Sequence, residues 1–283
     1  MSVLRAATAL FIGHLKTFLR SRTALYWSLA FPLFFLFIFG FVFGHSSPEG
    51  IGFLLPGLLT ITVISGSFYG VAMRVVSERE AGILRRHRVT PVSPVAVVLA
   101  YAAMGLVTLV LSLLLQIVVA RLVFHAHIAA APGSLAVVLV SGALALIPLG
   151  LIVGSVARDM RTAPAISNLV FFPLMFLSGA AIPFMMLPEW MQSAARFVPT
   201  TWLVESLQGL LVRGEGLASL AGPVTVLLLT SVAGIALNSL LFRWEGTEPV
   251  RPRRLLAAFA VLGALYLGVH LLAPALEMAT YQP

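Results

Sequence analysis

The sequence predicts an all-α protein that resides in a lipid bilayer, and three features carry that prediction. Of the 283 residues, 60% are hydrophobic and only 10% are charged, with a mean hydropathy of +1.03. A soluble domain carries about 25% charged residues, so this chain lacks the polar surface to cover a water-facing exterior. Seven stretches free of Asp, Glu, Lys and Arg are close to or longer than the ~20 residues that cross a hydrocarbon layer roughly 30 Å thick. The basic residues gather between those stretches in alternating number.

The chain begins with a segment that is amphipathic rather than apolar. Leu4, Phe11, Leu15 and Phe18 fall on one side of a 3.6-residue period, and Arg5, Lys16 and Arg20 fall on another. This pattern predicts a helix over residues 4–22 lying in the cytoplasmic interface plane, with Phe11, Leu15, Lys16 and Phe18 as its contact residues. Its basic residues are spread along it and no small-residue cleavage site follows a short apolar core, which is unlike a removable signal peptide.

The seven apolar stretches are 23–44, 51–73, 94–120, 135–157, 162–183, 220–242 and 255–273. In lipid an unpaired backbone group is costly, so each is expected to be helical. The pairs Gly40/Gly44, Gly66/Gly70 and Gly150/Gly154 offer small surfaces for close helix packing. With the N-terminus inside, fifteen of the eighteen Lys and Arg residues lie in cytoplasmic segments and three in external ones. The positive-inside rule favours that orientation. Residues 1–243 are then one transmembrane domain, and 244–283 are a linker with a seventh span that leaves the C-terminus outside.

Between the fifth and sixth stretches, residues 184–213 are neither a short loop nor a full span. Pro199 interrupts any continuous helix there, and Leu203, Leu207, Leu210 and Leu211 repeat at helical spacing after it. Two short helices dipping into the outer leaflet are expected. Pro188, Glu189, Trp190, Pro199, Trp202 and Glu205 are their candidate gating residues, the two Trp acting as interface anchors.

Several chemistries are missing. Cysteine is absent, and no His-Glu-x-x-His zinc motif occurs; His125 and His127 have no acidic neighbour, so no metal site is expected. A pairing of Ser67 with His270 has nothing in the sequence to bring it together, and no catalytic residue is assigned. Lys16 is the single lysine and follows His14-Leu15, so no Gly-Lys-Ser/Thr phosphate loop exists. The apolar stretches hold no ionisable residue except His270, which leaves proton or sodium coupling poorly supported. Gln116, Asn168 and Asn238 read as helix contacts. The net charge of +8 lies in short segments between spans, which fits membrane orientation rather than nucleic-acid binding.

A membrane path without an energy source directs attention to the longest cytoplasmic segment. Ser77, Glu78, Arg79 and Glu80 lead into Ala81, Gly82, Ile83, Leu84 and Arg85, followed by Arg86, His87 and Arg88. Ser77 with Glu80 has the spacing of a capping box, and the arginines follow at the far end, which predicts a separate short helix over 77–88 ended by Pro91 and Pro94. Such a helix is a natural grip for a soluble partner.

Here the chain resembles the ABC transmembrane type-2 permeases, whose loop reads Glu-Arg-Glu-x-Gly-x-Leu-x-Arg before a Pro. Glu78, Arg79, Glu80, Gly82, Leu84 and Pro91 stand in that pattern. Ser178-Gly179, Pro183, Leu187-Pro188-Glu189-Trp190 and Pro199 form a second similar stretch, so that the likeness covers roughly residues 4–243. It implies six spans, a coupling helix between spans two and three, and an external re-entrant hairpin after span five. It also implies two permease copies docked on separate ATPase subunits that hold the ATP and Mg, in an exporter of drugs, lipids or glycans. The chain itself would bind no cofactor. The competing expectation is an ATP-independent pore or assembly factor.

Overall fold

In the computed structural model, residues 2–43, 50–84, 93–126, 128, 130–182, 184–241 and 260 are described, and among them every regular element is helical. Helix α1 is Val3–Arg20, capped by the Ser2 hydroxyl, which accepts from the Arg5 N–H at 3.4 Å. The chain breaks at Ser21 and enters α2, Arg22–Phe43. Helix α3 runs from Leu55–Glu80, with Ile64–Tyr69 wound as a π-helix inside it. Next come α4, Pro94–Phe124, and α5, Pro132–Val156. Helix α6 is Ala163–Leu177, and the short pair α7, Glu189–Ala195, and α8, Pro199–Leu211, precedes α9, Ala221–Leu241.

Among the described residues four helices are long and apolar enough to cross a membrane: Leu55–Glu80, Val95–Phe124, Pro132–Val156 and Ala221–Asn238. Ser28–Val42 and Ala163–Leu177 are shorter apolar helical stretches. These six match the first six stretches expected from the sequence. The expected seventh, 255–273, lies outside the described residues except for residue 260, and the segment from Arg85 to Pro91 lies wholly outside them.

Helix α5 is the hub. It packs against α3, α8 and α9, and its buried face includes Ser141, Gly142, Ala143, Ala145, Gly150 and Gly154. The small residues have a reason to be there: lipid solvates large apolar side chains as well as a protein interior does, so close backbone approach decides which face turns inward. A Cβ at Gly150 would collide with the Phe68 carbonyl of α3, and one at Gly154 would meet Val75 at 2.9 Å. The Gly150/Gly154 pair thus seats α5 directly on α3, beside the π-helical turn.

Buried polar side chains tie the helices together. The Thr62 hydroxyl donates to Gln116 Oε1 at 2.7 Å, joining α3 to α4. The Asn238 amide donates to the Pro148 carbonyl at 2.8 Å, joining α9 to α5. Ser112 donates to the Ser28 carbonyl at 2.9 Å, joining α4 to α2. The sequence reading of Gln116 and Asn238 as helix contacts agrees with these bonds.

The inward face of α1 differs from the expected one. Ala6, Ala7 and Phe18 are buried, Leu10 packs on the cluster of α3, α4 and α5, and His14 reaches α3, a stripe at three- and four-residue spacing. Leu4 is 73% exposed, Phe11 and Leu15 are half-exposed, and Lys16 points out. Only Phe18 of the predicted contact residues turns into the bundle. Ala6 and Ala7 meet Ala96 of α4, so the small residues set the contact here as well.

Candidate functional site

The segment singled out in the sequence does not start a new helix at Ser77: its first four residues end α3, Ala81 and Gly82 form a turn, Ile83 and Leu84 are again helical, and the rest of 77–88 lies outside the described residues. Ser77, Glu78, Arg79 and Glu80 occupy the last turn of a helix that began at Leu55. At 1.5 Å per residue its 26 residues measure roughly 39 Å, longer than the ~30 Å hydrocarbon core, so its end projects beyond the lipid. The capping-box reading of Ser77 is therefore corrected: an N-cap residue must have non-helical backbone, whereas Ser77 is helical and its carbonyl accepts from the Ala81 N–H at 3.0 Å. The helix stops at Gly82, which has φ +71°. The Gly82 N–H donates to the Arg79 carbonyl, and the left-handed conformation is one that a Cβ disfavours. Gly82→Ala is expected to lower the stability of the chain by about 1 kcal/mol, although no neighbour lies within 4 Å of the added carbon. A thermal-unfolding comparison with Gly13→Ala, in α1 and equally uncrowded, separates backbone strain from packing.

The charged side chains of this turn are used inside the chain. Arg79 is buried, and its guanidinium donates to the carbonyls of Gly154 at 2.9 Å, Ala157, and Arg158 at 3.3 Å. These groups belong to the C-terminal end of α5, where orphaned carbonyls and the negative end of the helix dipole favour a cation. Glu80 Oε1 accepts from the Met160 N–H at 3.1 Å, fastening the α5–α6 loop. That loop is stiffened by Asp159, whose Oδ1 accepts from the Thr162 N–H at 2.8 Å. The Thr162 N–H and hydroxyl hold the Asp159 carboxyl below its usual range.

Glu78 binds in the other direction. Its Oε2 accepts from the Tyr101 hydroxyl of α4 at 2.6 Å and lies 3.3 Å from His14 Nε2 of α1. The His14 ring stacks on Tyr101 with centroids 5.2 Å apart. Leu84 is fully buried with Val71, Val75, Val98 and Tyr101. Glu78 is thus half-buried, Glu80 is exposed but bonded within the chain, and the buried Leu84 is not available as an external apolar contact. Ser77 and Ala81 remain exposed and Ile83 half-exposed, while Arg85 lies outside the described residues. His14 and Tyr101 were missed in the sequence because a hydroxyl within an apolar stretch and a lone histidine carry no motif.

Above this turn, α2, α3, α4 and α6, with Phe18 of α1, line a partly open cavity of about 680 Å³. The π-helical turn contributes Ser65, Gly66 and Tyr69 to its wall, and Phe31, Phe35, Phe171 and Phe172 supply aromatic surface. Widened turns of this kind occur often at functional sites. Arg74 and Asn168 also line it. No motif announced this cavity, since separated helices build it.

At the other end of the bundle, α7 and α8 meet at a corner that side chains hold. Pro199 opens α8, Thr200 donates to the Leu174 carbonyl at 2.7 Å, and Thr201 donates to the Ala195 carbonyl at 2.7 Å. Trp202 is 1% exposed, with its Nε1–H donating to the Arg196 carbonyl at 3.0 Å. It is a core residue and not an interface anchor, because that backbone acceptor lets the indole be buried whole. Trp190 is 71% exposed, and Pro188 and Glu189 are exposed beside it. Glu205 pairs with Arg213 at 2.7 Å, and Arg213 also pairs with Glu215, so Glu205 is matched within its own chain. Burial pushes the Glu205 carboxyl up, against the pull of Arg213.

Comparison with known proteins adds to this geometry. The sequence profile of the family described as ABC-2 type transporter matches residues 5–212. The inner membrane transport permease YhhJ of Escherichia coli is 31% identical over 173 residues, covering 60% of this chain and 45% of that protein. The putative transport permease YvfS of Bacillus subtilis is 27% identical over 194 residues, 67% of this chain and 78% of its own length. ABC transporter G family member 20 of Dictyostelium discoideum is 26% identical over 179 residues, 62% of this chain and 24% of that protein. The chain therefore spans less than half the length of the YhhJ permease that it matches.

Proposed function

Because the chain belongs to the ABC-2 type transporter family and is a multi-pass membrane permease, we propose that it moves lipophilic or amphiphilic cargo out of a bacterial cell by alternating access. Two permease copies work with separate ATPase subunits, which bind the ATP and Mg. The N-terminus faces the cytoplasm. The aromatic cavity receives the cargo, and the α7–α8 corner, with Trp190 outside and Trp202 inside, closes the external exit.

One observation carries this reading: the end of α3 is fastened to four other parts of the molecule at once. Glu78 holds α1 and α4, Arg79 holds the end of α5, and Glu80 holds the α5–α6 loop. A push on this turn would therefore move the helices around the cavity together. An ATPase can shift the permease only if the contact between them differs between its states, and a turn bonded to several helices transmits such a difference. The docking surface is assigned to Ser77, Ala81, Ile83 and the segment after Leu84.

The test uses the two exposed positions, since charge reversal at Glu78 and Glu80 would also break internal bonds. Ser77→Arg with Ala81→Arg is expected to abolish co-purification with the phosphate-loop ATPase that the unaltered chain captures from its own cells and to leave the melting temperature of the isolated permease unchanged. Glu189→Arg, exposed at the opposite end, should leave association intact. Normal association of the double variant would move the docking site away from this turn.

A further inference from the structure

The wall of the cavity has an unusual polar inventory. Its serine and threonine hydroxyls are engaged by the helices: Ser65 donates to the Ile61 carbonyl, Thr108 to Met104 and Gly105, Ser28 to Leu25, and Ser112 to Ser28. Thr62 donates to Leu58 and Gln116. Arg74, Asn168 and the Tyr69 hydroxyl differ, since none of them makes a hydrogen bond among the described residues. Glu78, one turn away, attracts the Arg74 charge without a hydrogen bond between them, and its Oε2 serves Tyr101 and His14. Among the described lining residues Arg74 alone is charged, and no carboxylate joins it on the wall.

An arginine stays charged at any accessible pH, and a charged group in apolar surroundings is costly unless paired. The guanidinium also presents a planar fork suited to carboxylates and phosphates. We propose that this cavity binds an amphiphile with an anionic head, the head on Arg74 with Asn168 as a second donor and the apolar chain among Phe31, Phe35, Phe171 and Phe172. The inference rests on the transport reading above and adds head-group chemistry to it.

The dimensions agree with the chemistry. Arg74 lies six residues, roughly 9 Å, before the end of α3, which places the head near the cytoplasmic surface in the proposed orientation. From Arg74 to Thr62, both on the wall, is roughly 18 Å of helix, about the depth of one leaflet. The volume falls within the ~300–1,000 Å³ of ordinary ligand sites. A cationic amphiphile would meet like charge, and a neutral one would leave the guanidinium unpaired.

The test uses the full chain in discs of neutral phosphatidylcholine and three probes with a photoreactive group at the end of a twelve-carbon chain. They are the carboxylic acid, its methyl ester and the matching trimethylammonium compound, and captured peptides are mapped by mass spectrometry. The acid should label α2 and α6 peptides, and dodecyl phosphate should displace it. Arg74→Gln should cut acid capture by about tenfold or more, as loss of a charge-assisted hydrogen bond implies, and leave ester capture unchanged. Arg74→Lys should keep most of it. If phosphatidate added to the discs blocks the acid as well as dodecyl phosphate does, the occupant is a membrane lipid; if only the single-chain phosphate blocks it, the occupant is free cargo. Equal capture of acid and ester by the unaltered protein overturns the head-group assignment, as does undiminished acid capture by a folded Arg74→Gln chain; both leave an apolar cargo site standing. If Arg74→Gln does not fold, the ranking of the three probes on the unaltered chain decides. Absence of labelling in α2 and α6 overturns the cavity as a binding site, while the ATPase association test still decides the permease reading.

Discussion

Replacing Arg79 with Ala is expected to lower the melting temperature of the isolated, detergent-solubilised chain by about 6–12 °C. The figure follows from a loss of about 3 kcal/mol and the usual 2–4 °C per kcal/mol for a chain of this size class. The substitution removes three charge-assisted bonds and strands the carbonyls of Gly154, Ala157 and Arg158 at a buried helix end. Arg79→Lys should recover part of the loss, since an ammonium is cationic but lacks the planar fork that reaches several carbonyls. The isolated chain is the informative sample. If Arg79 served chiefly to grip an ATPase, melting without the partner would be unchanged and association alone would fall. An unaltered melting temperature would remove the clamp between α3 and α5 from the account.

The bundle was legible because lipid imposes a simple rule: backbone must be paired internally, so apolar length reads directly as helix. Hydrophobicity failed where the rule says nothing about direction. Leu4, Phe11 and Leu15 looked like the contact face of α1, yet Ala6, Ala7, Leu10 and His14 turn inward. The resemblance pointed to this turn but could not show that its charged residues are bonded inside the chain. The Ser77-to-Glu80 spacing occurs in helix interiors as well as at starts, and α3 simply runs on past the lipid. Glu78, Arg79, Glu80, Gly82 and Leu84 each have an internal task, so the pattern they form describes how the helix end is built as much as what it meets. Trp202 looked like an interface anchor because its backbone acceptor, Arg196, is fixed only by the corner. Arg74 was counted with the cytoplasmic basic residues, where its position just past an apolar stretch concealed that it lines a cavity.

Gly150→Ala is expected to destabilise the chain by about 1–3 kcal/mol, the range for overpacking a well-filled contact. The added carbon has nowhere to go, because its obstacle is the Phe68 carbonyl and not the movable end of a side chain. Helix α3 must therefore shift away from α5, and the shift falls in the π-helical turn whose Ser65, Gly66 and Tyr69 line the cavity. Intrinsic propensity predicts the opposite sign, since Ala favours a helix over Gly by up to about 1 kcal/mol. Gly133→Ala, in the first turn of the same helix with no neighbour within 4 Å, supplies the control. It should leave the melting temperature unchanged or raise it, whereas Gly150→Ala should lower it and reduce capture of the photoreactive acid by α2 and α6. Equal effects of the two substitutions would mean that Gly150 is not a packing contact and that α3 and α5 are free to separate there without consequence for the cavity.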